Sequence, residues 1–292
     1  MYAAGVLVAH LSDLHVTTPD APFAIFADGA ATLTAAIAHL NGLDRRPDLV
    51  VVTGDLVNDG TVAEYTRLRD LFEPLESPLL LLVGNHDDPA ALLSVFPEHR
   101  YLPDHRPAHW VVDDYALRLV AIDTTLDERH DGALGPDELD WLRTTLDSAS
   151  ADRPTLLLMH HPPFVTGMWW MDYGGLKGAG GLEELVAART NVVGVLAGHV
   201  HRPFHTTIGS ALVSSAPAIA YQSCLALADD SAPVVSDVVA PIPLVWWTGD
   251  RLLIAHTDFR LPQHTVDLRT VIPDWDDYER RARSGAIIPK DH

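Results

Sequence analysis

The stretch from Leu79 to Pro89, LLLLVGNHDDP, changes within a few positions from an apolar run to a group of polar and titratable side chains. A short, continuous apolar run followed by turn residues is typical of a β-strand that is buried on both faces. Asn85 and Asp87 favour turns, but together with His86 they could also bind a metal ion or exchange protons. Taken alone, the stretch fits a strand-to-loop turn and a functional site equally well.

Four more apolar runs end in the same way. Because the carboxyl ends of parallel strands lie along one edge of a sheet, five such endings predict that their polar side chains converge on one site. The other runs are residues 7–15 (LVAHLSDLH), 48–55 (DLVVVTGD), 154–163 (PTLLLMHHPP) and 191–201 (NVVGVLAGHVH), which end at Asp13 and His15, at Asp55, at His160 and His161, and at His199 and His201.

Amphipathic segments lie between the apolar runs, and this alternation predicts βαβ units with helices on both faces of a sheet. After His201 the pattern changes, and residues 204–215 and 243–257 predict two hairpins. The predicted strands are 5–11, 48–53, 78–83, 117–122, 154–159 and 191–197, and the predicted helices are 28–42, 61–74, 136–148 and 180–189.

The composition limits the classes of partner. The 292 residues carry a formal net charge of -20, which argues against a nucleic-acid duplex as partner, since duplex binding needs a basic surface. No apolar run approaches the roughly 20 residues of a membrane-spanning helix, and the amino terminus has no signal-peptide pattern. Cys224 is the single cysteine, so no internal disulfide forms. We therefore expect a cytoplasmic protein, and a homodimer is compatible with the sequence.

The polar endings supply a set of candidate metal ligands. All of their ligand atoms are oxygen or imidazole nitrogen, which suits Mn, Fe, Zn or Co and disfavours Cu(I). Seven ligands are too many for one tetrahedral ion and suit two ions that share a bridging carboxylate. The candidates are Asp13, His15, Asp55, Asn85, His160, His199 and His201.

The charge of such a site predicts its substrate class. Two divalent ions and two carboxylates leave a formal charge of about +2, or about +1 with a bridging hydroxide. This local positive charge, in a protein of net charge -20, favours an anion such as a phosphate ester.

Five motifs, SDLH, GDLVNDG, GNHDD, HHPPF and GHVHR, follow one another along the chain. In this order they resemble the motifs of the calcineurin-like metallophosphoesterases, and the resemblance covers about residues 5–205. GDLVNDGTVAEY, WMDYGGL and SSAPAIAYQS are most similar to the bacterial class III cyclic-nucleotide phosphodiesterases and related glycerophosphodiesterases. The resemblance implies an α/β fold, a four-layer α/β/β/α sandwich with a dinuclear metal site at the strand carboxyl ends.

The resemblance also implies residue roles. A metal-bound hydroxide would attack phosphorus in line with the leaving oxygen, and His86 would contact the phosphoryl group without binding a metal. Asp55 and Asn85 would take part in catalysis with it. One divalent or mixed-valence ion would be held by Asp13, His15, Asp55 and His201, and the other by Asp55, Asn85, His160 and His199.

Two further residues are candidates for substrate binding. His161 would contact the substrate or orient a metal ligand, with a packing role as the alternative. Trp169 would wall the pocket, with a core or subunit contact as the alternative. The remaining histidines outside the motifs, His130 among them, are expected to be structural or at the surface.

The departures from the family favour a diester substrate. The phosphoprotein phosphatases have arginines at the positions of Asp59 and Asp88, and they have an aspartate in place of Asn58. A dianionic monoester needs those cations more than a monoanionic diester does. Arg202 is the one basic residue that adjoins a motif. The leading prediction is therefore a phosphodiesterase for a 3',5'-cyclic nucleotide or a glycerophosphodiester, with a broad phosphomonoesterase or nucleotidase, or a non-catalytic scaffold, as alternatives.

The predicted metallophosphoesterase domain spans residues 1–270. Its part from 206 to 270 would complete the sandwich with hairpins, or form a small cap or dimer contact. Residues 271–292 are predicted to be a C-terminal tail that begins with a short surface helix.

Overall fold

A computed structural model describes residues 5–21, 29–259 and 274–284 of the chain. The contacts divide the chain into two units, Met1–Phe259 and Arg260–His292. The domain boundary predicted at residue 270 lies outside the described residues.

The first unit alternates strands with helices over most of its length. In chain order its strands are β1 Val6–Leu11, β2 Leu49–Thr53, β3 Leu79–Leu82, β4 Trp110–Val112, β5 Arg118–Ala121, β6 Gly132–Ala133, β7 Thr155–Leu158, β8 Leu176–Lys177, β9 Val192–Ala197, β10 Phe204–Ile208, β11 Ala211–Ser215, β12 Gln222–Ser223, β13 Val235–Ser236, β14 Ile242–Trp247 and β15 Leu252–Thr257. Its helices are α1 Ala30–Asn41, α2 Val62–Phe72, α3 Pro89–Val95, α4 Pro136–Asp147, α5 Trp169–Tyr173 and α6 Ala179–Ala187.

Two mixed sheets form the centre of this unit. The first has the strand order β15-β14-β1-β2-β3, with β1, β2 and β3 parallel. The second has the order β10-β11-β9-β7-β5-β4, with β11, β9, β7 and β5 parallel. The late hairpins extend the two sheets at their edges, because β14 pairs with β1 and β11 pairs with β9.

The two sheets pack face to face, with helices on their outer sides. Alternate residues of β5 show this, since Leu119 and Ala121 pack in one apolar core with residues of the first sheet. Val120 and Ile122 point the other way, into a second core that contains Leu142 of α4 and other residues from α4 and α6. Helices α1 and α2 pack in the core that holds the first sheet. The predicted four-layer α/β/β/α sandwich is therefore confirmed.

Two elements that the sequence patterns did not predict lie between β3 and β5. Helix α3 begins because the Asp88 side chain accepts a hydrogen bond from the Ala91 N–H at 2.7 Å and Pro89 occupies the first turn. The helix has only 7 residues, too few for an apolar period, so the sequence pattern did not predict it. Strand β4 has three residues and pairs antiparallel with β5.

The second unit contributes a described helix, α7 Trp275–Ser284, where a short surface helix was predicted. Acidic residues stand in its first turn and arginines in its last, an order that complements the helix dipole. None of the helices in the described ranges combines the length and the apolar character needed to span a membrane.

Candidate metal centre

The predicted ligands come together where strands of both sheets end. Asp13, Asp55 and Asn85 follow β1, β2 and β3 of the first sheet, and His160 and His199 follow β7 and β9 of the second. Because the sheets face each other, their carboxyl ends supply side chains from two sides. All but Asn85 and His199 of the seven predicted ligands are buried.

Five of these residues have left-handed backbone conformations. The φ angles are 51° at Asp13, 41° at His15, 50° at Asp55, 68° at His199 and 50° at His201. A non-glycine residue held there costs about 1–3 kcal/mol, and such residues concentrate at functional sites. The local backbone is thus bent to direct these side chains inward, at a cost in stability.

A first group of side chains gathers around Asp13, His15, Asp55 and His201. One ligand atom from each of the four lies within 4.8 Å of the others. The Nε2 atoms of His15 and His201 are 3.1 Å apart, and His201 Nε2 is 3.3 Å from Asp13 Oδ1. His15 Nε2 lies 3.6 Å from Asp55 Oδ2.

A second group lies on the other side of Asp55. His160 Nε2 is 3.4 Å from Asp55 Oδ1 and 3.1 Å from Asn85 Oδ1. Asn85 Oδ1 is also 3.2 Å from His199 Nδ1. The two oxygens of Asp55 therefore face two different groups of nitrogen and oxygen atoms, as a bridging carboxylate must.

The spacing of these atoms fits a metal shell. Two ligands that each stand about 2.1 Å from one ion lie about 3.0 Å apart at an octahedral edge and about 3.4 Å apart at a tetrahedral edge. The separations of 3.1–3.4 Å around His160 and Asn85 fall within that range. The donor set and its spacing can thus accept two ions, one in each group.

Charge pairing inside the site shifts the pKa values of its members. Burial disfavours the charged form of His160, but the Asp55 carboxylate outweighs it and raises the pKa of His160 to about 9. For Asp55, burial acts in the direction of a higher pKa, because it disfavours the charged carboxylate. The attraction of His160 outweighs burial, so the pKa of Asp55 lies well below its usual value. Burial lowers the pKa of His15 to about 3, so its contact with Asp55 is not an ion pair. The metal-free site thus holds a proton that an arriving metal would displace.

Backbone carbonyls orient two of the candidate ligands. His160 Nδ1 lies 2.8 Å from the Thr53 carbonyl oxygen, and His201 Nδ1 lies 3.1 Å from that of Tyr221. A ring nitrogen that donates to a carbonyl leaves Nε2 unprotonated and available to a metal. Once its ring is neutral, each imidazole is thus held in the tautomer that metal binding by Nε2 requires.

His86 stands beside the two groups. Its backbone N–H donates to Asp55 Oδ1 at 3.0 Å, and its Nδ1 is 2.7 Å from the Asn58 carbonyl oxygen. The backbone of Asn58 therefore fixes the ring of His86, while the Asn58 side chain donates to Asp59. The other ring nitrogen, Nε2, is left for the site.

Asp87, the residue after His86, holds this loop in place. The buried carboxylate accepts hydrogen bonds from the Gly84 N–H at 2.7 Å, the Leu56 N–H at 3.1 Å and the Tyr65 hydroxyl at 2.9 Å. Burial, followed by the nearby Asp55, raises the pKa of Asp87 to about 6. The first aspartate of GNHDD is thus a structural anchor between the loops that carry Asp55 and Asn85.

The structure does not place His161 where a substrate could touch it. The side chain is fully buried, with Nδ1 2.8 Å from Thr124 Oγ1 and Nε2 3.0 Å from the His130 carbonyl oxygen. Both ring nitrogens have protein partners, and whether His161 orients a metal ligand or only packs the core stays a prediction.

Trp169 is exposed on α5, and its indole N–H donates to the Ser231 carbonyl oxygen at 2.8 Å. The helix ends at Gly174, where an added β-carbon would lie 3.5 Å from His199 Nε2. This segment therefore borders the site, and the role of Trp169 in substrate binding stays a prediction.

Two residues outside the predicted set also reach the site. The ring of Tyr221 lies 4.5 Å from that of His201 and is stacked on His15 at 5.6 Å, between centroids. Tyr221 belongs to the segment SSAPAIAYQS, whose resemblance to the phosphodiesterases could have identified Tyr221 as a site residue. His130 Nδ1 lies 3.3 Å from Asn85 Nδ2, although no motif surrounds it in the sequence.

Comparison with known proteins agrees with the family resemblance of the sequence motifs. The family model described as calcineurin-like phosphoesterase matches residues 6–203. The chain is 36% identical over 219 residues to the glycerophosphodiester phosphodiesterase GpdQ of Enterobacter lignolyticus, a match that covers 74% of this chain and 78% of that protein. It is 32% identical over 258 residues to the 3',5'-cyclic adenosine monophosphate phosphodiesterase CpdA of Pseudomonas aeruginosa, covering 88% of each.

The fold is also similar to that of a dimetal phosphatase from Danio rerio. The TM-score is 0.62 at 13% sequence identity, and the match covers 87% of this chain and 96% of that one. At this identity the likeness concerns the fold alone.

Proposed function

The chain belongs to the calcineurin-like phosphoesterases, and from this premise we propose that it is a two-metal hydrolase of small phosphodiesters. Its substrate would be a 3',5'-cyclic nucleotide or a glycerophosphodiester. The observation that carries the proposal is the placement of Asp55, whose two carboxylate oxygens face separate groups of metal-binding atoms.

The first group and the second group would each hold one ion, with Mn, Fe, Zn or Co as the candidates. Such a pair of ions lowers the pKa of bound water and stabilises the attacking and leaving oxygens of an in-line displacement. The ligands in this proposal are Asp13, His15, Asp55 and His201 for one ion, and Asp55, Asn85, His160 and His199 for the other.

His86 would act directly on the substrate. Its Nδ1 is engaged with the Asn58 carbonyl oxygen, so the ring is fixed with Nε2 as the nitrogen that can reach a phosphoryl or leaving-group oxygen. In the protonated ring this nitrogen can donate a proton to the departing alkoxide. Asn85 would bring its amide oxygen to a metal and leave its amide N–H groups for neighbouring acceptors.

The charges around the site support a diester over a monoester. Asp88 caps helix α3, and Asp59 is exposed and accepts a hydrogen bond from the Asn58 side chain, so neither position supplies a cation. The Arg202 guanidinium donates to the Ser223 carbonyl oxygen at 2.9 Å. A monoester, which is nearly dianionic at neutral pH, would find less compensation here than a monoanionic diester.

A panel of substrates tests the proposal. We expect the Mn²⁺-loaded protein to cleave bis-p-nitrophenyl phosphate with a higher kcat/KM than p-nitrophenyl phosphate, which shares its leaving group. Cyclic AMP, cyclic GMP and glycerophosphocholine then separate the two diester classes. An Asp13→Ala variant serves as the control for contaminating activity. A higher kcat/KM for the monoester would instead favour a phosphomonoesterase.

The expected homodimer and cytoplasmic location stay predictions. Sedimentation analysis and cell fractionation, respectively, are the measurements that address them.

A further inference from the structure

His130 lies at the open side of the candidate metal centre, in the loop between β5 and β6. Its side chain is exposed, and its Nδ1 lies 3.3 Å from the amide nitrogen of Asn85. Its ring centroid is 5.5 Å from that of His86, which in turn lies 4.8 Å from the ring of His15. Asn85, His86 and His130 therefore stand together beside the metal-binding atoms.

The backbone of this loop is held against a buried histidine. The His130 carbonyl oxygen is 3.0 Å from Nε2 of His161, whose Nδ1 lies 2.8 Å from the Thr124 hydroxyl. Gly132 lies so close that an added β-carbon would be 2.5 Å from His161 Nδ1. The two adjacent histidines of the HHPP motif thus serve different purposes, because His160 faces Asn85 and Asp55 while His161 supports the loop that carries His130.

Ion pairs fix the other side of the loop. Arg129 donates to both oxygens of Asp131 at 2.7 and 2.6 Å, and Lys177 binds the same carboxylate. Gly132 and Ala133 then pair with Leu176 and Lys177 as β6 and β8. The residues on both sides of His130 are therefore held in place by these contacts.

The contact with Asn85 selects a tautomer for His130. Asn85 Oδ1 faces His160 and His199, so its Nδ2 is the donor that remains, and Nδ1 of His130 must accept from it. A neutral ring that accepts at Nδ1 carries its proton on Nε2. His130 therefore presents an N–H donor at the rim of the site.

A groove lies next to the loop that carries His130. It has a volume of about 490 Å³ and is lined by Asn85 and by the stretch from Leu126 to Glu128 of the same loop. The groove therefore borders both Asn85 and the segment that leads to His130.

We propose that His130 is a substrate-contacting residue, whose Nε2–H donates to a phosphoryl oxygen next to His86. This inference rests on the proposed function. His161, Gly132 and the Arg129–Asp131–Lys177 ion pairs act through His130 by fixing its loop, and they are positioning residues.

The test compares His130→Ala, His130→Gln and His130→Asn in the full chain loaded with Mn²⁺. His105→Ala is the matched control, because His105 lines the same groove but its Nδ1 contacts the Asp104 carboxylate. The measurements are metal content, kcat and KM for bis-p-nitrophenyl phosphate, and the Kd of inorganic phosphate by calorimetry.

We expect His130→Ala to retain its metals, to lose about 10- to 100-fold in kcat/KM and to bind phosphate about tenfold or more weakly. His130→Gln, whose amide nitrogen can occupy the place of Nε2, should keep more activity and phosphate affinity than His130→Asn, whose amide nitrogen mimics Nδ1. His105→Ala should match the wild type.

Two outcomes would overturn the inference. One is wild-type kcat/KM and phosphate affinity in His130→Ala. The other is a loss that disappears at saturating Mn²⁺, since His130 would then act only by holding Asn85. If the wild-type chain cleaves no diester, the proposed function fails, and the phosphate affinity of the variants still decides the role of His130.

Discussion

Gly84 approaches Asp55 so closely that a β-carbon on Gly84 would lie 2.2 Å from Asp55 Oδ1. Gly198 has a similar relation to the first strand, because its added β-carbon would lie 1.9 Å from Ser12 Oγ and 2.9 Å from Asp13 Oδ2. All three separations are below about 3.0 Å, which real β-carbons essentially never show. The glycines of GNH and GHVH are therefore required so that neighbouring loops can bring their ligands together.

Gly84→Ala should displace the Asp55 carboxylate. We expect fewer than two Mn²⁺ ions per chain and a fall in kcat/KM of at least about 10- to 100-fold, the usual effect of disturbing the support of a metal ligand. Metal analysis and steady-state kinetics provide the measurement. Gly180→Ala is the matched control, since its added β-carbon meets nothing within 4 Å and alanine favours a helix by up to about 1 kcal/mol. Unchanged metal binding in Gly84→Ala would contradict the assignment of Asp55.

His86→Ala should separate metal binding from turnover. The variant is expected to bind both ions and to lose about 10²–10⁴-fold in kcat on an unactivated diester, because proton donation to the leaving oxygen is removed. On bis-p-nitrophenyl phosphate the loss should be smaller, since nitrophenolate leaves without full protonation. An equal loss on both substrates would argue against His86 as the proton donor.

Metal affinity should rise with pH. The pKa of His160 is raised to about 9, because the attraction of Asp55 outweighs burial, and a metal must displace that proton. Below pH 9 the apparent affinity of the second group should therefore increase by about tenfold per pH unit, and above it the affinity should level off. Chelator competition between pH 6.5 and 8.5 measures the slope, and His160→Gln should reduce it. An affinity independent of pH would show that His160 is already neutral in the metal-free protein.

Tyr65→Phe should destabilise the loop that carries Asn85. The hydroxyl donates to Asp87 at 2.9 Å and accepts from the Asp88 N–H at 2.9 Å, and it is fully buried. Its removal leaves two buried partners without this contact, at a cost of about 1–3 kcal/mol in the free energy of unfolding. Urea denaturation measures the difference, with Tyr173→Phe as the control because that side chain is 88% exposed. Equal losses in the two variants would show that the hydrogen bonds of Tyr65 are not the cause.

The main strands and the gathering of the seven candidate ligands could be predicted because local sequence determines both. Each apolar run forms a strand, and each polar side chain stands a fixed few residues beyond its end. The termini of the predicted strands agree with the structure to within a residue or two, as for β2 at Leu49–Thr53. Apolar periodicity alone did not predict the α/β/β/α layering. That prediction rested on the family resemblance, which the order of the five motifs carries.

The contacts that the sequence patterns missed depend on tertiary packing. His130 is separated by 45 residues from Asn85, and it reaches Asn85 because His161 and Gly132 hold its loop. No period or motif around His130 records that contact. Asp87 was likewise indistinguishable from a turn residue, because its partners come from the loop after β2 and from α2 as well as from its own loop.

The anomalous scattering of manganese, in crystals of the chain grown with excess Mn²⁺, tests the two-metal assignment most directly. We expect two peaks, one on either side of the Asp55 carboxylate. One would lie next to Asp13, His15 and His201, and the other next to Asn85, His160 and His199. A single peak, or no peak within ligand distance of Asp55, would contradict it.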